Sequence, residues 1–235
     1  MIAAQLPLLI GFVVMALGSL AVYAHGSSHP EIRHHTNFHS LVCFIAATAY
    51  LAMATGMGRL EEADGGTLYL ARYLDWSVTT PILLTGLVLT GLHEHDRHSG
   101  FILPVIVLDV VMILTGLMSA VADTGFQQIL WYTWSCIAFA GVLYLLWLPI
   151  RSISRAMGGR FDVVYRKNLA FLTIVWLGYP LVFLLGPQGF GTLSEVADVW
   201  TILVLDIVAK VIYGFVSTAR FKAMPNPELQ REAAD

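Results

Sequence analysis

The sequence predicts an all-α membrane protein built as a seven-transmembrane helix bundle, and three observations carry that prediction. The 235-residue chain is 57% hydrophobic and 12% charged, about half the charge of a soluble domain, and its mean hydropathy is +0.72. Seven apolar runs are each long enough to cross a bilayer, for which about 20 residues suffice. The breaks between the runs carry turn chemistry rich in Gly, Ser, Asp and His.

The first run, 2–24, follows Met1 without a basic start or a small-residue cleavage site, and reads as a span rather than a signal peptide. After "HGSSHPEIRHH" comes 38–57, and after "GRLEEADGG" comes 67–92. "HEHDRHSG" precedes 101–122, and "DTG" alone separates it from 126–149. "RSISRAMGGR" leads to 168–186, "GPQGFGT" to 196–218, and a short polar tail covers about 221–235. No loop is long enough for a further domain, so 1–235 reads as a single membrane domain. Cys43 and Cys136 fall inside apolar runs, where a thiol packs as a small hydrophobe, so no disulfide framework is expected. The net charge of −3 points to no nucleic-acid partner; the expected partner is the lipid bilayer, with a homo-oligomer within it.

Lys and Arg fix the expected orientation. With alternating loops, Arg33, Arg97, Arg151, Arg155, Arg160, Arg166, Lys167, Arg220, Lys222 and Arg231 fall on one side and Arg59 on the other. The positive-inside rule places the first group in the cytoplasm. The expectation is a multi-pass protein of the cell (inner) membrane with its N-terminus outside and its C-terminus inside. Arg72 and Lys210 remain, and both lie within spans.

A charge at mid-helix costs roughly 2.5–3.5 kcal/mol on insertion scales, so the ionisable groups inside the spans mark a site. They are Arg72 and Asp75 in the third span, Asp109 in the fourth, and Asp206 and Lys210 in the seventh, with Asp198 near its outer end. Asp206 and Lys210 are four apart and share a face, as do Arg72, Asp75 and Thr79. Docking those faces rings the Lys210 nitrogen with Asp75 and Asp206, Arg72 lying outward. A structural clamp between the two helices would also explain an ion pair, but two carboxylates and two cations exceed what a clamp requires. A buried amine beside carboxylates suits Schiff-base chemistry; the residues alone do not say with which aldehyde.

"RYLDWSVTTPILL" (72–84), "LDVVMILTGL" (108–117), "WLGYPLVFLLG" (176–186) and "LDIVAKVIYG" (205–214) resemble the microbial (type 1) rhodopsins, and among them the bacteriorhodopsin-like proton pumps. The resemblance extends over all seven spans. It implies retinal in the core of the bundle, bound to Lys210 as a protonated Schiff base. Asp75 would be the primary counterion and proton acceptor, Asp206 the second counterion, and Arg72 the gate to the outer half-channel. By matched position Trp76 and Trp176 would sandwich the polyene. Thr80, Leu83, Met112, Ser135, Phe139, Tyr179, Pro180 and Phe183 would line the pocket. Tyr50 would hydrogen-bond Asp206, and Asp109 would pair with Thr80 as a neutral interhelical contact.

The chain departs from the pumping pattern at Gly86, which stands eleven residues beyond Asp75 where the family carries a proton-donating carboxylate. Gln188 replaces a second acid at the outer end, where Asp198 remains. His39 lies at the depth of Gly86 and could relay protons, since imidazole titrates near pH 6.5. The eight histidines (25, 29, 34, 35, 39, 93, 95 and 98) fall at or near one side and could gather protons or simply form a hydrated face. His93 and His95 offer only a weak metal motif, and no metal is expected. The expected function is a light-driven outward proton pump reprotonated from the cytoplasm without an internal carboxylate donor, an ion transporter rather than an enzyme. The alternative is a slow-cycling photosensor signalling to a membrane partner. Related pumps that bind a carotenoid antenna have glycine where this chain has Tyr132, so no antenna is expected.

Overall fold

The computed structural model describes residues 2–27, 32–61, 66–92 and 99–224. Seven helices form the bundle: α1 (Ile2–Ser27), α2 (Arg33–Ala54), α3 (Leu70–Gly91), α4 (Ser99–Ala120), α5 (Gly125–Met157), α6 (Gly159–Leu185) and α7 (Glu195–Lys222). Six are long and apolar enough to cross a membrane. Among the described residues α3 is the exception, because it carries Arg72, Asp75 and four threonines. Each of those threonines donates its hydroxyl to the carbonyl four residues back (Thr79 to Asp75, Thr80 to Trp76, Thr85 to Pro81, Thr90 to Gly86), at 2.7–2.8 Å. A polar helix thereby satisfies itself where water is scarce.

The helices outrun the apolar stretches. α2 starts at Arg33 and takes in His34 and His35, and α7 continues to Lys222. The expected break between 149 and 168 shrinks to Gly158 and Gly159, at φ +75° and +70°. "RSISRAM" contains no helix breaker, so the chain stays helical until glycines in a left-handed conformation turn it. Between α2 and α3 the expected turn is a short antiparallel hairpin, β1 (Leu60–Glu61) with β2 (Thr67–Leu68). Thr124 and Ser194 cap α5 and α7, accepting from the amides of Gln127 and Ala197 at 3.3 Å.

Two helices contain a wider π-helical turn. In α5 it spans Leu146–Ile150 around Pro149, which has no amide hydrogen to donate. The Tyr165 hydroxyl of α6 bonds the Leu146 carbonyl at 2.6 Å. In α7 the turn spans Ile207–Ile212 and carries Lys210; such bulges recur at functional positions.

Large apolar side chains such as Leu74, Phe126 and Ile174 are exposed, 69–76% by area, as a lipid-facing surface allows. Lipid tails supply no hydrophobic drive between helices, so small residues set how closely the backbones approach. Gly11 of α1 faces the Tyr50 ring of α2, and a β-carbon there would lie 2.3 Å from the ring. Gly11→Ala should therefore destabilise the bundle by about 1–3 kcal/mol, read as a lower thermal unfolding temperature of the purified protein. An unchanged temperature would mean that the ring yields freely.

Candidate functional site

Lys210 is 2% exposed and its Nζ lies 2.7 Å from Asp75 Oδ2 and 2.9 Å from Asp206 Oδ1. The α-helical turn from Asp206 into the π-helical turn sets lysine and carboxylate on one face, and α3 supplies Asp75 from across the bundle. Asp206 also accepts the Tyr50 hydroxyl at 2.8 Å, the Tyr179 hydroxyl at 2.8 Å and the Trp76 indole N–H at 3.2 Å. Three neutral donors thus disperse the charge of the carboxylate that the ammonium shares least closely. Thr79 is fully buried beneath Asp75, bonded to its main-chain carbonyl.

Toward the hairpin end, Arg72 Nη1 pairs with Asp198 Oδ2 at 3.1 Å, and the guanidinium sits 5.4 Å from the Tyr69 ring centroid. The ion-pair partner of Arg72 is thus Asp198, so Arg72 belongs to an outlying pair as well as to the lysine's surroundings. Gly186 makes room for that carboxylate, since a β-carbon there would lie 2.9 Å from Asp198 Oδ1. Gln188 is held by Gln128, whose amide donates to its carbonyl.

A cavity of about 130 Å³ opens beside Lys210 and reaches Arg72 and Asp198. It brings together Trp76, Thr80, Leu83, Met112, Ser135, Phe139, Trp176, Tyr179, Pro180 and Phe183 from four helices. Tyr50, Asp75 and Asp206 stand behind the lysine rather than on the wall. Apolar and aromatic walls with a buried amine at one end fit an apolar ligand held through that amine, and retinal has that character. Tyr73, Ile113, Gly116, Tyr132, Cys136, Ile202 and Ala209 also line the cavity. Cys136 therefore faces the cavity instead of merely packing. Helical spacing marks it, since Tyr132, Ser135, Cys136 and Phe139 follow the i, i+3, i+4, i+7 pattern of one face. Asp109 is buried and bonded to the Thr80 hydroxyl at 2.5 Å, tying α4 to α3.

At the opposite end His39 is buried, its ring 5.2 Å from that of Tyr213 in an edge-on arrangement. With Gly86 it lines a second cavity of about 10 Å³, about the space of one water. A β-carbon on Gly86 would meet only Phe38, at 3.6 Å. His29, His93, His95 and His98 lie outside the described residues, so the histidine face and the His93/His95 motif are described only in part.

The family model for bacteriorhodopsin-like proteins matches residues 3–223. The chain is a bacteriorhodopsin-like microbial rhodopsin. It is 36% identical to archaerhodopsin-2 of Halobacterium sp. (strain aus-2) over 213 residues, 88% of this chain and 81% of that one. The thermophilic rhodopsin from Rubrobacter xylanophilus superposes with a TM-score of 0.91 at 36% identity, over 99% of this chain and 100% of that one. The light-driven proton pump rhodopsin of Coccomyxa subellipsoidea gives 0.83 at 32% identity, over 92% and 96%. Rhodopsins of this family are multi-pass membrane proteins, light-driven ion pumps or photoreceptors rather than classical enzymes, and they bind retinal through a Schiff base to a lysine.

The Asp206 cluster sets an order of stabilities in this rhodopsin. Asp206→Ala strands three donors and half of the lysine's neutralisation, so it should cost about 3–5 kcal/mol. Tyr50→Phe removes one bond to a charged group and should cost about 1.5–3 kcal/mol. Thermal unfolding of the two variants in detergent checks the order; equal losses would mean that Asp206 is held chiefly by Tyr50.

Proposed function

We propose that this rhodopsin is a light-driven outward proton pump that carries retinal on Lys210 and is reprotonated from the cytoplasm without an internal carboxylate donor. The observation that carries the reading is the Asp75 carboxylate 2.7 Å from Lys210 Nζ, with both side chains 2% exposed. Retinal, held on Lys210 and enclosed by Trp76, Trp176, Tyr179 and the other cavity residues, would supply light absorption and isomerisation. Asp75, the acid nearest Lys210 Nζ, would take the proton that leaves that nitrogen. Asp206, which accepts from Tyr50, Tyr179 and Trp76, serves as the second counterion. Thr79 holds the backbone at Asp75. The Arg72–Asp198 pair stands on the outward path, where Arg72 disfavours return of the proton and Asp198 passes it on. The N-terminus then lies outside and the C-terminus in the cytoplasm of the cell membrane, as the Lys and Arg count implies.

Chloride transport fits poorly, because an ionised Asp75 would repel the anion at the place it must occupy. A carotenoid antenna also fits poorly: Tyr132 stacks on Phe183 with ring centroids 5.4 Å apart and bonds the Pro180 carbonyl at 3.1 Å, which fills the side of the cavity wall where a window would open.

Illumination of cells making the protein should acidify the medium, and a protonophore should abolish the change. A coloured protein that shifts no protons would favour the slow photosensor instead. Lys210→Ala should fold and be colourless after retinal is added, and a retained visible band would remove Lys210 as the attachment site. Asp75→Asn removes the charge that favours the cationic nitrogen, so its absorption should move to the red and its pumping should stop. Undiminished pumping by that variant would sink the mechanism.

Gly86 cannot donate a proton, so the proton that returns to Lys210 Nζ comes from bulk, relayed by His39. Recovery of the visible absorbance after a flash should therefore slow as pH rises, in step with proton concentration. Gly86→Asp, whose β-carbon would meet only Phe38, at 3.6 Å, should flatten that dependence provided the new acid stays protonated in its apolar setting. His39→Ala should slow recovery further, and azide should partly restore it. Flash photolysis over a pH series decides: a pH-independent recovery in the unaltered protein would point to a buried donor, and an unchanged rate in His39→Ala would reduce that histidine to packing.

A further inference from the structure

The small cavity beside His39 and Gly86 is closed on the far side by a bonded strand of side chains. Asn168 of α6 is 1% exposed and lines the cavity, as does Ser217 of α7. The Asn168 Nδ2 donates to Ser217 Oγ at 3.0 Å, and Arg220 Nη1 donates to Asn168 Oδ1 at 2.7 Å. Arginine can only donate, which fixes the amide with its oxygen toward Arg220 and its nitrogen toward the cavity. Arg220 is partly exposed in the last turn of α7. A chain of polar groups therefore runs from the helix end to the cavity, with Asn168 in the middle and both helices held by it.

The other bonds of this part of α6 serve different neighbours. Tyr165 reaches the α5 carbonyl of Leu146, and Asp162 pairs with Arg151 of α5. Arg160 bonds the Ala223 carbonyl at 2.9 Å, but that bond is exposed and water can replace it. On the cavity side, His39 Nδ1 is buried without a partner among the described residues, and Thr90 and Ser217 add hydroxyls to the wall, so the space is polar enough to take up water once it opens.

We propose that Asn168 is a positioning residue that latches a gate: its amide ties α6 to α7 and bars water and protons from the His39 cavity until the two helices part. The proposal rests on the pump reading for its direction, since it places the gate on the uptake side. Releasing the latch exchanges two protein hydrogen bonds for bonds to water, a small cost suited to a reversible step, and leaves only packing such as Phe161 on Phe221 and Phe171 on Tyr213 beside it.

The test uses the full retinal-loaded protein in liposomes. Asn168→Leu, which keeps the bulk and removes both bonds, should speed recovery after a flash by roughly 5–100-fold, the factor that two ordinary hydrogen bonds supply. In the dark it should raise hydrogen–deuterium exchange of residues 86–92 and 213–218 by a similar factor. Asn168→Asp, which can still accept from Arg220 and from the Ser217 hydroxyl, should stay near the unaltered protein in both readouts. Should Asn168→Leu fail to fold, Ser217→Ala and Arg220→Met each remove one bond and should give smaller changes of the same sign. Unchanged or slower recovery with unchanged exchange, or equal acceleration in Asn168→Asp, would overturn the latch. Absence of protonophore-sensitive acidification by the unaltered protein would remove the pump reading, while the exchange measurement would still decide the latch.

Discussion

A buried ammonium held between two carboxylates is the interaction on which the rest of this structure depends. Moving a lone charge out of water costs several kcal/mol even after relaxation, so Lys210 can be buried only where Asp75 and Asp206 meet it. Two carboxylates for one cation leave an excess of negative charge, and Tyr50, Tyr179 and Trp76 absorb it through bonds to Asp206. The cluster thereby ties α2, α3, α6 and α7 at one point. Replacing any of these groups by an apolar one leaves its partners unpaired in a medium that offers no substitute.

The backbone is arranged to serve that point. Gly11 lets the Tyr50 ring approach α1, which aims the hydroxyl at Asp206. The wide turn of α7 carries Lys210, and α3 accommodates its polar load by turning its threonine hydroxyls back on its own carbonyls. Helix α3 is the one not apolar enough by composition to count as a span, and also the one that brings Asp75, Trp76 and Thr80 to the site. Its polar side chains turn inward while Leu74 and Val78 face outward, which makes this tolerable.

The two ends of the bundle differ in kind. At one end Arg72 and Asp198 keep opposite charges in contact beside the large cavity. At the other the cavity is small, and its polar walls are His39, Thr90, Asn168 and Ser217 around a glycine. At that end the nearest cation, Arg220, reaches the cavity only through Asn168, so the two sides of Lys210 have unequal surroundings.

Much of this was legible along the chain. Seven apolar runs separated by turn residues define the bundle, because each span must satisfy its own backbone within lipid. The lone intramembrane lysine with an acid four residues before it, and the Arg72–Asp75–Thr79 face, mark the charged cluster, because charges there are too costly to be incidental. Helix ends were misplaced by hydropathy, since "RSISRAM" is polar yet fully able to stay helical outside the apolar layer. What only the tertiary structure decided is partnership. Nothing local pairs Arg72 with Asp198, turns Cys136 into the cavity, or sets Asn168 between Ser217 and Arg220. These contacts join residues 49–126 positions apart in the case of the bonded pairs. They depend on the rotation and depth at which each helix docks, and those are set by close approaches such as Gly11 against Tyr50 and Gly186 against Asp198, where the absence of a side chain matters only once the neighbour is known.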